Sequence, residues 1–208
     1  MTNGSFIVLE GIDGSGTTTQ INGLHDYIKS RDKYADVLTT HEPWKNEEIK
    51  KKLSRDKDAY SGGKEMTRLF VDDRHNHLNN LIVPNMNQGV IVLSDRYSLS
   101  TYAYQGTQGV SFNTIKELHD EQKIIVPDLT FFLDVNYEVA KERITKRGDS
   151  LEKFETNERF TKDLINKYRA LSEMEDIFGE VIKIDGNKSA RQVKKDICEK
   201  FEEFYSNF

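Results

Sequence analysis

The sequence predicts an α/β fold in one domain, residues 1–208: a five-stranded parallel sheet with helices on both faces. Short apolar runs rich in β-branched residues recur along the chain with amphipathic stretches between them, the alternation of a parallel sheet and its crossover helices. Those runs are nearly continuous in apolar residues, as strands buried on both faces must be. The first run leads through a glycine-rich turn into a helical pattern. With 208 residues, 36% of them hydrophobic, the chain can enclose one substantial core.

The elements follow in order. "FIVLE" (6–10) is the first strand and "TTTQINGLHDYIKSR" the amphipathic helix after it. "ADVLTT" (35–40) is the second strand, followed by one long helix over "GGKEMTRLFVDDRHNHLNNLIVPNMNQG". "GVIVLSD" (89–95) and "DLTFFLD" (128–134) are the third and fourth strands, and "NYEVAKERITKRG" is a helix ended by Gly148. "EVIKID" (180–185) is the fifth strand, and the last helix, "SARQVKKDICEKFEEFYSNF", takes Ser189 as its cap. The polar stretch "GDSLEKFET" (148–156) reads as a mobile surface loop. Repeats, low-complexity tracts and Pro/Gly-rich linkers are absent from the sequence.

A net charge of -5 argues against a nucleic-acid partner, so any bound anion must be met by a local cluster of cations. The single cysteine, Cys198, leaves no internal disulfide to form. No run reaches the apolar length of a membrane helix, and the N-terminus lacks a basic segment followed by a long apolar one. These features predict a cytoplasmic protein with no membrane partner.

The chemistry is concentrated first in "GIDGSGTT" (11–18), which fits the phosphate-loop pattern G-x-x-x-x-G-K-[ST] except that Thr17 stands at the lysine. Gly11, Gly14 and Gly16 let the backbone wrap an anion with its N–H groups inward, at the positive end of a helix. Ile12, Asp13, Ser15, Thr17 and Thr19 complete the cradle, and Thr18 holds the hydroxyl position that binds Mg²⁺. A tight strand-to-helix turn would use glycine as well, so the loop needs support from elsewhere.

Three other groups supply it. Phe70 and Arg74 lie four apart on one helix face, a ring to stack on a base and a guanidinium for an anion; the alternative pairs Arg74 with Asp72 or Asp73. Asp95 and Arg96 close the third strand at the sheet edge where ligands bind, Asp95 suited to Mg²⁺ and Arg96 to a phosphate in transfer; the alternative is an Asp–Arg pair capping the next helix. Ser100, Thr101, Tyr104 and Gln105 follow within about two helical turns. Arg143 and Arg147 share another helix face, with Lys146 and Lys153 nearby and Glu142 and Glu152 as possible acid partners.

Taken together, "FIVLEGIDGSGTTTQ", "THEP" (40–43), "LFVDDRHNH" (69–77), "SDRYSLSTYAYQG" (94–106), "PDLTFFLDV" (127–135) and "AKERITKRG" (140–148) resemble the thymidylate kinase family over nearly the whole chain. The resemblance implies a P-loop kinase fold and transfer of the γ-phosphate of ATP to dTMP with Mg²⁺, in a homodimer packed through helices beside the sheet. It implies that Phe70 stacks on thymine, that Arg74 with Thr101 or Gln105 holds the base and phosphate end, and that Tyr104 packs on the deoxyribose and disfavours a 2′-hydroxyl. Arg96 would contact the acceptor phosphate, and Asp13 the sugar 3′-hydroxyl or the metal shell. Residues 143–156 would be the lid, carrying the catalytic cations Arg143, Arg147 and Lys153.

The chain departs from the family pattern at Thr17, at His41 where "REP" is usual, and in a lid reading "SLEKFE" where many members have "DRFE". By analogy with removing one preorganised transition-state donor, a missing loop lysine costs on the order of 10²–10³ in rate. The expectation is therefore an active kinase in which a lid cation takes over the lysine's charge. The alternatives are a kinase for a related nucleoside monophosphate and a nucleotide-binding protein with weak or no turnover.

Overall fold

The structure, a computed structural model, describes residues 4–148, 153–155 and 157–206. Five strands form one all-parallel sheet in the order β2-β3-β1-β4-β5: β1 (Phe6–Glu10), β2 (Val37–His41), β3 (Ile91–Asp95), β4 (Leu129–Asp134) and β5 (Glu180–Asp185). Each lies within two residues of its expected bounds. β1 is buried along its whole length because it sits mid-sheet with helices on both faces. The chain leaves β1 toward β2 on one side and later reaches β4 on the other, and ligands of open α/β sheets bind at such a switch point.

On one face, α1 (Thr17–Arg31) and α10 (Ala190–Ser206) cover Ile7, Leu9, Leu93 and Phe131. On the other, α5 (Ser98–Thr107) and α8 (Glu158–Leu171) pack against Phe132, while the segment after α3 (Gly63–His77) covers Phe6, Val8 and Val92. The expected caps are present: Gly148 closes α7 (Tyr137–Arg147) at φ 80°, and Ser189 accepts from the Gln192 amide while Gln192 accepts from Ser189.

The long helix expected over residues 62–89 is not one α-helix. After α3 the backbone widens into a π-turn at Leu78–Ile82, and a short α4 (Val83–Met86) follows. Pro84 has no N–H to give to the preceding turn, and the Val83 amide reaches back five residues to the Leu78 carbonyl. The remaining helices are α2 (Glu47–Arg55), α6 (Phe112–Glu121) and α9 (Glu175–Phe178).

Candidate active site

At the carboxyl ends of β1, β2 and β3 lie two adjoining cavities. The larger, about 670 Å³, is lined by the loop 12–16, by Thr17, Thr18 and Thr19 at the start of α1, and by His41, Asp95, Arg96, Arg143 and Arg147. Gly14 and Gly16 adopt φ of 80° and 97°, and a Cβ at Gly14 would come within 2.6 Å of the Ala140 carbonyl, so the loop depends on glycine there. Gly11, expected in the cradle itself, is instead behind it and does not line the cavity. A Cβ at Gly11 would come within 2.7 Å of Ser15 Oγ and 3.0 Å of the Leu133 carbonyl, so the missing side chain lets the loop fold back close to β4. α1 begins at Thr17 with no side-chain cap, which leaves its first amides to face an anion.

Thr18 Oγ1 donates to Asp95 Oδ2 at 2.5 Å, while the buried Asp95 Oδ1 has no protein partner among the described residues. A hydroxyl beside a carboxylate with an unused oxygen fits Mg²⁺, which keeps waters and substrate phosphates as its other ligands. Among the described residues no cluster of three or more His, Cys, Asp or Glu could hold a metal.

Arg96 and Asp13 form a salt bridge between the two cavities. Tyr104 Oη donates to Asp13 Oδ2 at 3.1 Å and accepts from Arg96 at 3.3 Å. Burial pushes the Tyr104 phenol well up, so it remains a donor. Arg96 itself holds a φ of 70°, rare for a residue with a side chain and costing on the order of 1–3 kcal/mol. Neither residue of the pair expected at the strand end caps α5 by pairing with the other: Asp95 meets Thr18 and Arg96 meets Asp13.

The smaller cavity, about 140 Å³, is lined by Asp13, Glu42, Phe70, Arg74, Arg96, Ser100, Thr101, Tyr104 and Gln105, and also by Pro43, Leu53, Tyr97 and Phe154. Phe70 and Arg74 thus share a face as their spacing implies. Arg74, 1% exposed, does not pair with Asp72 or Asp73: its Nη2 donates to Glu42 at 2.6 Å, to the Tyr97 carbonyl and to Thr101, and its Nη1 lies 2.9 Å from His119 Nε2. Asp73 instead accepts from the backbone amides of Trp44 and Lys45. Burial, then the nearby Arg74 charge, holds the His119 pKa down at about 3. The neutral ring can accept from Arg74 while Nδ1 faces the Ile115 carbonyl at 2.8 Å. Gln105 Oε1 is buried with no partner among the described residues.

The cations expected of the lid separate. Arg147 borders the larger cavity and donates to Glu155 at 3.0 Å. Arg143 borders it too, with its donors on the backbone carbonyls of Ser15, Gly186 and Lys188 at 2.8–3.2 Å, so it ties the phosphate loop to the turn before α10. Lys146 pairs with Glu142 on the surface. Lys153 is not with them: it is 2% exposed and donates to Asp56 at 2.6 Å and to Ser61. The surface loop expected at 148–156 is corrected at Lys153 and Phe154, which are buried because the first finds an acid and the second packs on Tyr104 and Phe160. Residues 149–152 and 156, including Glu152, lie outside the described residues.

Sequence reasoning passed over Glu10, Glu42, His119, Asp56 and Phe154. A charged residue inside an apolar strand, as in "FIVLE", was a usable signal for Glu10, since a buried carboxylate requires donors.

Known proteins resemble this chain over most of its length. The thymidylate kinase family profile matches residues 9–197. The chain belongs to the thymidylate kinase family. Its relatives include a probable thymidylate kinase of Methanococcoides burtonii, 34% identical over 94% of this chain and 95% of the relative. Thymidylate kinases of Ruthia magnifica (36% identical; 95% and 97% covered) and Thermosipho africanus (35%; 92% and 94%) are similar along their lengths as well. In this member of the family two adjoining cavities share the Asp13 and Arg96 side chains.

Proposed function

We propose that this chain transfers the γ-phosphoryl group of ATP to dTMP, giving ADP and dTDP. The reading rests on one arrangement: Asp13 and Arg96 line both cavities, so a donor on the glycine loop and an acceptor beside Phe70 would meet at the same guanidinium. A phosphate oxygen of dTMP attacks the γ-phosphorus in line, the bond to the β–γ bridging oxygen breaks, and ADP leaves. Arg96 holds the charge that spreads over the transferring group, and the loop amides hold the β-phosphate. Mg²⁺, held by Thr18 and Asp95 with the phosphates, would neutralise further charge when bound.

Phe70 stacks on thymine. Arg74 donates to the base, and Gln105 Oε1, an acceptor without a protein partner among the described residues, receives the ring N–H. Tyr104, fixed by Asp13 and Arg96, stands against the sugar and disfavours a 2′-hydroxyl. Arg147 supplies the charge that Thr17 lacks; Arg143 supports the loop, and Lys153 acts at a distance from the phosphates. The homodimer and cytoplasmic location implied by the resemblance belong to the same reading, and sedimentation analysis tests the first.

ADP release with Mg·ATP and dTMP, measured beside Thr17→Lys, tests the activity. Turnover by the natural sequence, with dTMP preferred over dUMP, dCMP and dGMP, supports the reading. Binding of both nucleotides without ADP formation would overturn it, and activity appearing only in Thr17→Lys would locate the defect in the phosphate loop.

A further inference from the structure

Glu10 lines neither cavity, yet it is fully buried at the end of β1 and gathers donors from two helices. Its Oε1 accepts from the backbone amides of Tyr97 at 2.9 Å and Ser100 at 3.2 Å. Its Oε2 accepts from Ser100 Oγ at 2.5 Å and from Tyr168 Oη, on α8, at 3.4 Å, and the two hydroxyls lie 2.7 Å apart. Burial raises its pKa, while the Ser100 hydroxyl, the Arg96 charge and the two amides oppose that rise. Because two of the donors are amides that cannot accept, Oε1 serves as an acceptor throughout.

The position of these bonds in the chain gives them meaning. α5 opens at Tyr97 without a side-chain cap of its own, so Glu10 satisfies first-turn amides that would otherwise be orphaned. Directly before that turn, the Arg96 amide donates to the Leu9 carbonyl at 2.9 Å. Arg96, at φ 70°, therefore lies between two ties to consecutive residues of β1, one on its own amide and one on the next. A left-handed conformation at a bulky residue persists only where its surroundings over-determine it, and these ties provide that. The guanidinium that emerges is aimed at Asp13, at the junction of the two cavities.

We propose that Glu10 is a positioning residue for Arg96: it clamps the turn between β3 and α5 so that the guanidinium stands between donor and acceptor phosphates before either nucleotide arrives. This rests on the reading of Arg96 as a phosphate contact. The Glu10 carboxylate bonds to neither the glycine loop nor Phe70, Arg74 or Gln105, so removing the clamp acts first on the turn that carries Arg96, and a displacement of about 1 Å is enough for a loss of about 10²-fold.

A kinetic double-mutant cycle on the full chain tests it, with Glu10→Gln, Arg96→Ala and the double variant assayed for kcat and for KM of ATP and dTMP. Glu10→Gln is expected to lower kcat by about 10²-fold with both KM values little changed. The double variant is expected to be no slower than Arg96→Ala alone, because a clamp has nothing to position once the arginine is gone. Losses that multiply, or an unchanged kcat in Glu10→Gln, overturn the inference while leaving the role of Arg96 standing. Full activity in Arg96→Ala overturns both. Should Glu10→Gln not fold, Glu10→Asp, which keeps the charge but sits one methylene short of the amides, carries the same cycle.

Discussion

The two cavities that meet at Arg96 are built by opposite means. The phosphate side is mostly backbone: a glycine loop and a helix start, with Arg143 bracing the loop through its carbonyls. The acceptor side is mostly side chain, and its polar groups hold one another, with Arg74 buried among Glu42, Thr101, the Tyr97 carbonyl and His119. Backbone donors stay when a side chain changes, so the loop amides remain on the phosphate side with Thr17 at the position of the lysine. In a mutually held network the loss of one member strands the others. The same reaction thus depends on one surface whose donors are backbone and one whose donors are side chains that hold one another.

The sharpest way to break this contrast is Arg74→Ala. It leaves the Glu42 carboxylate buried without its cation, and chemical denaturation should show a loss of about 3–5 kcal/mol. If stability changed by only a few tenths, the acceptor side would be no more interdependent than the loop. Next comes Arg147→Ala, expected to reduce kcat by about 10²–10³-fold, roughly 3–4 kcal/mol, by analogy with removing one transition-state donor. Lys153→Ala should instead raise the KM for dTMP with little change in kcat. The reverse pattern in steady-state kinetics would exchange the roles of the two cations.

His119 gives a smaller, pH-dependent effect. Its pKa falls from an ordinary 6.5 to about 3 on folding, so the unfolded chain binds the extra proton between those values. Its contribution is complete above about pH 6.5 and declines as the pH falls toward 3, by at most about 2 kcal/mol at pH 5. Relative to His119→Asn, the natural protein should lose stability more steeply over that window, and parallel curves would refute the assignment. Smallest is Phe70→Ala, expected to raise the KM for dTMP by about 0.5–1.5 kcal/mol of lost ring contact, or more with the area exposed, and to leave the KM for ATP alone.

The sequence carried the sheet almost completely, because strands buried on both faces must be short apolar runs and few other elements look like that. It carried the phosphate loop, Asp95, Arg96, Phe70 and Arg74 for a related reason: strand ends and helix faces are local properties. Within the loop it could not tell a glycine that faces the anion from one such as Gly11, whose neighbour across the sheet is the Leu133 carbonyl. The partners of the charged residues were beyond local reading too. Arg74 has acids two and one positions before it, yet pairs with Glu42, 32 positions away, across a contact that only the folded sheet creates. Lys153 lies in a polar stretch that looks exposed, and only the approach of Asp56 makes its burial favourable. The break in the long helix was foreshadowed by Pro84 alone, which marks a disturbance without saying how the backbone absorbs it.

Residues 153–155 bring separate regions into one short span. Lys153 reaches the segment after α2, Phe154 forms a wall of the acceptor cavity, and Glu155 holds Arg147 at the phosphate side. Consecutive residues cannot be set independently, so fixing the wall around one nucleotide also fixes the cation beside the other. ATP and dTMP should therefore bind with positive heterotropic coupling, and by linkage the factor must be the same in either order of addition. Titration calorimetry with a non-hydrolysable ATP analogue would read that factor directly, and cutting the Lys153–Asp56 tie should reduce it toward one.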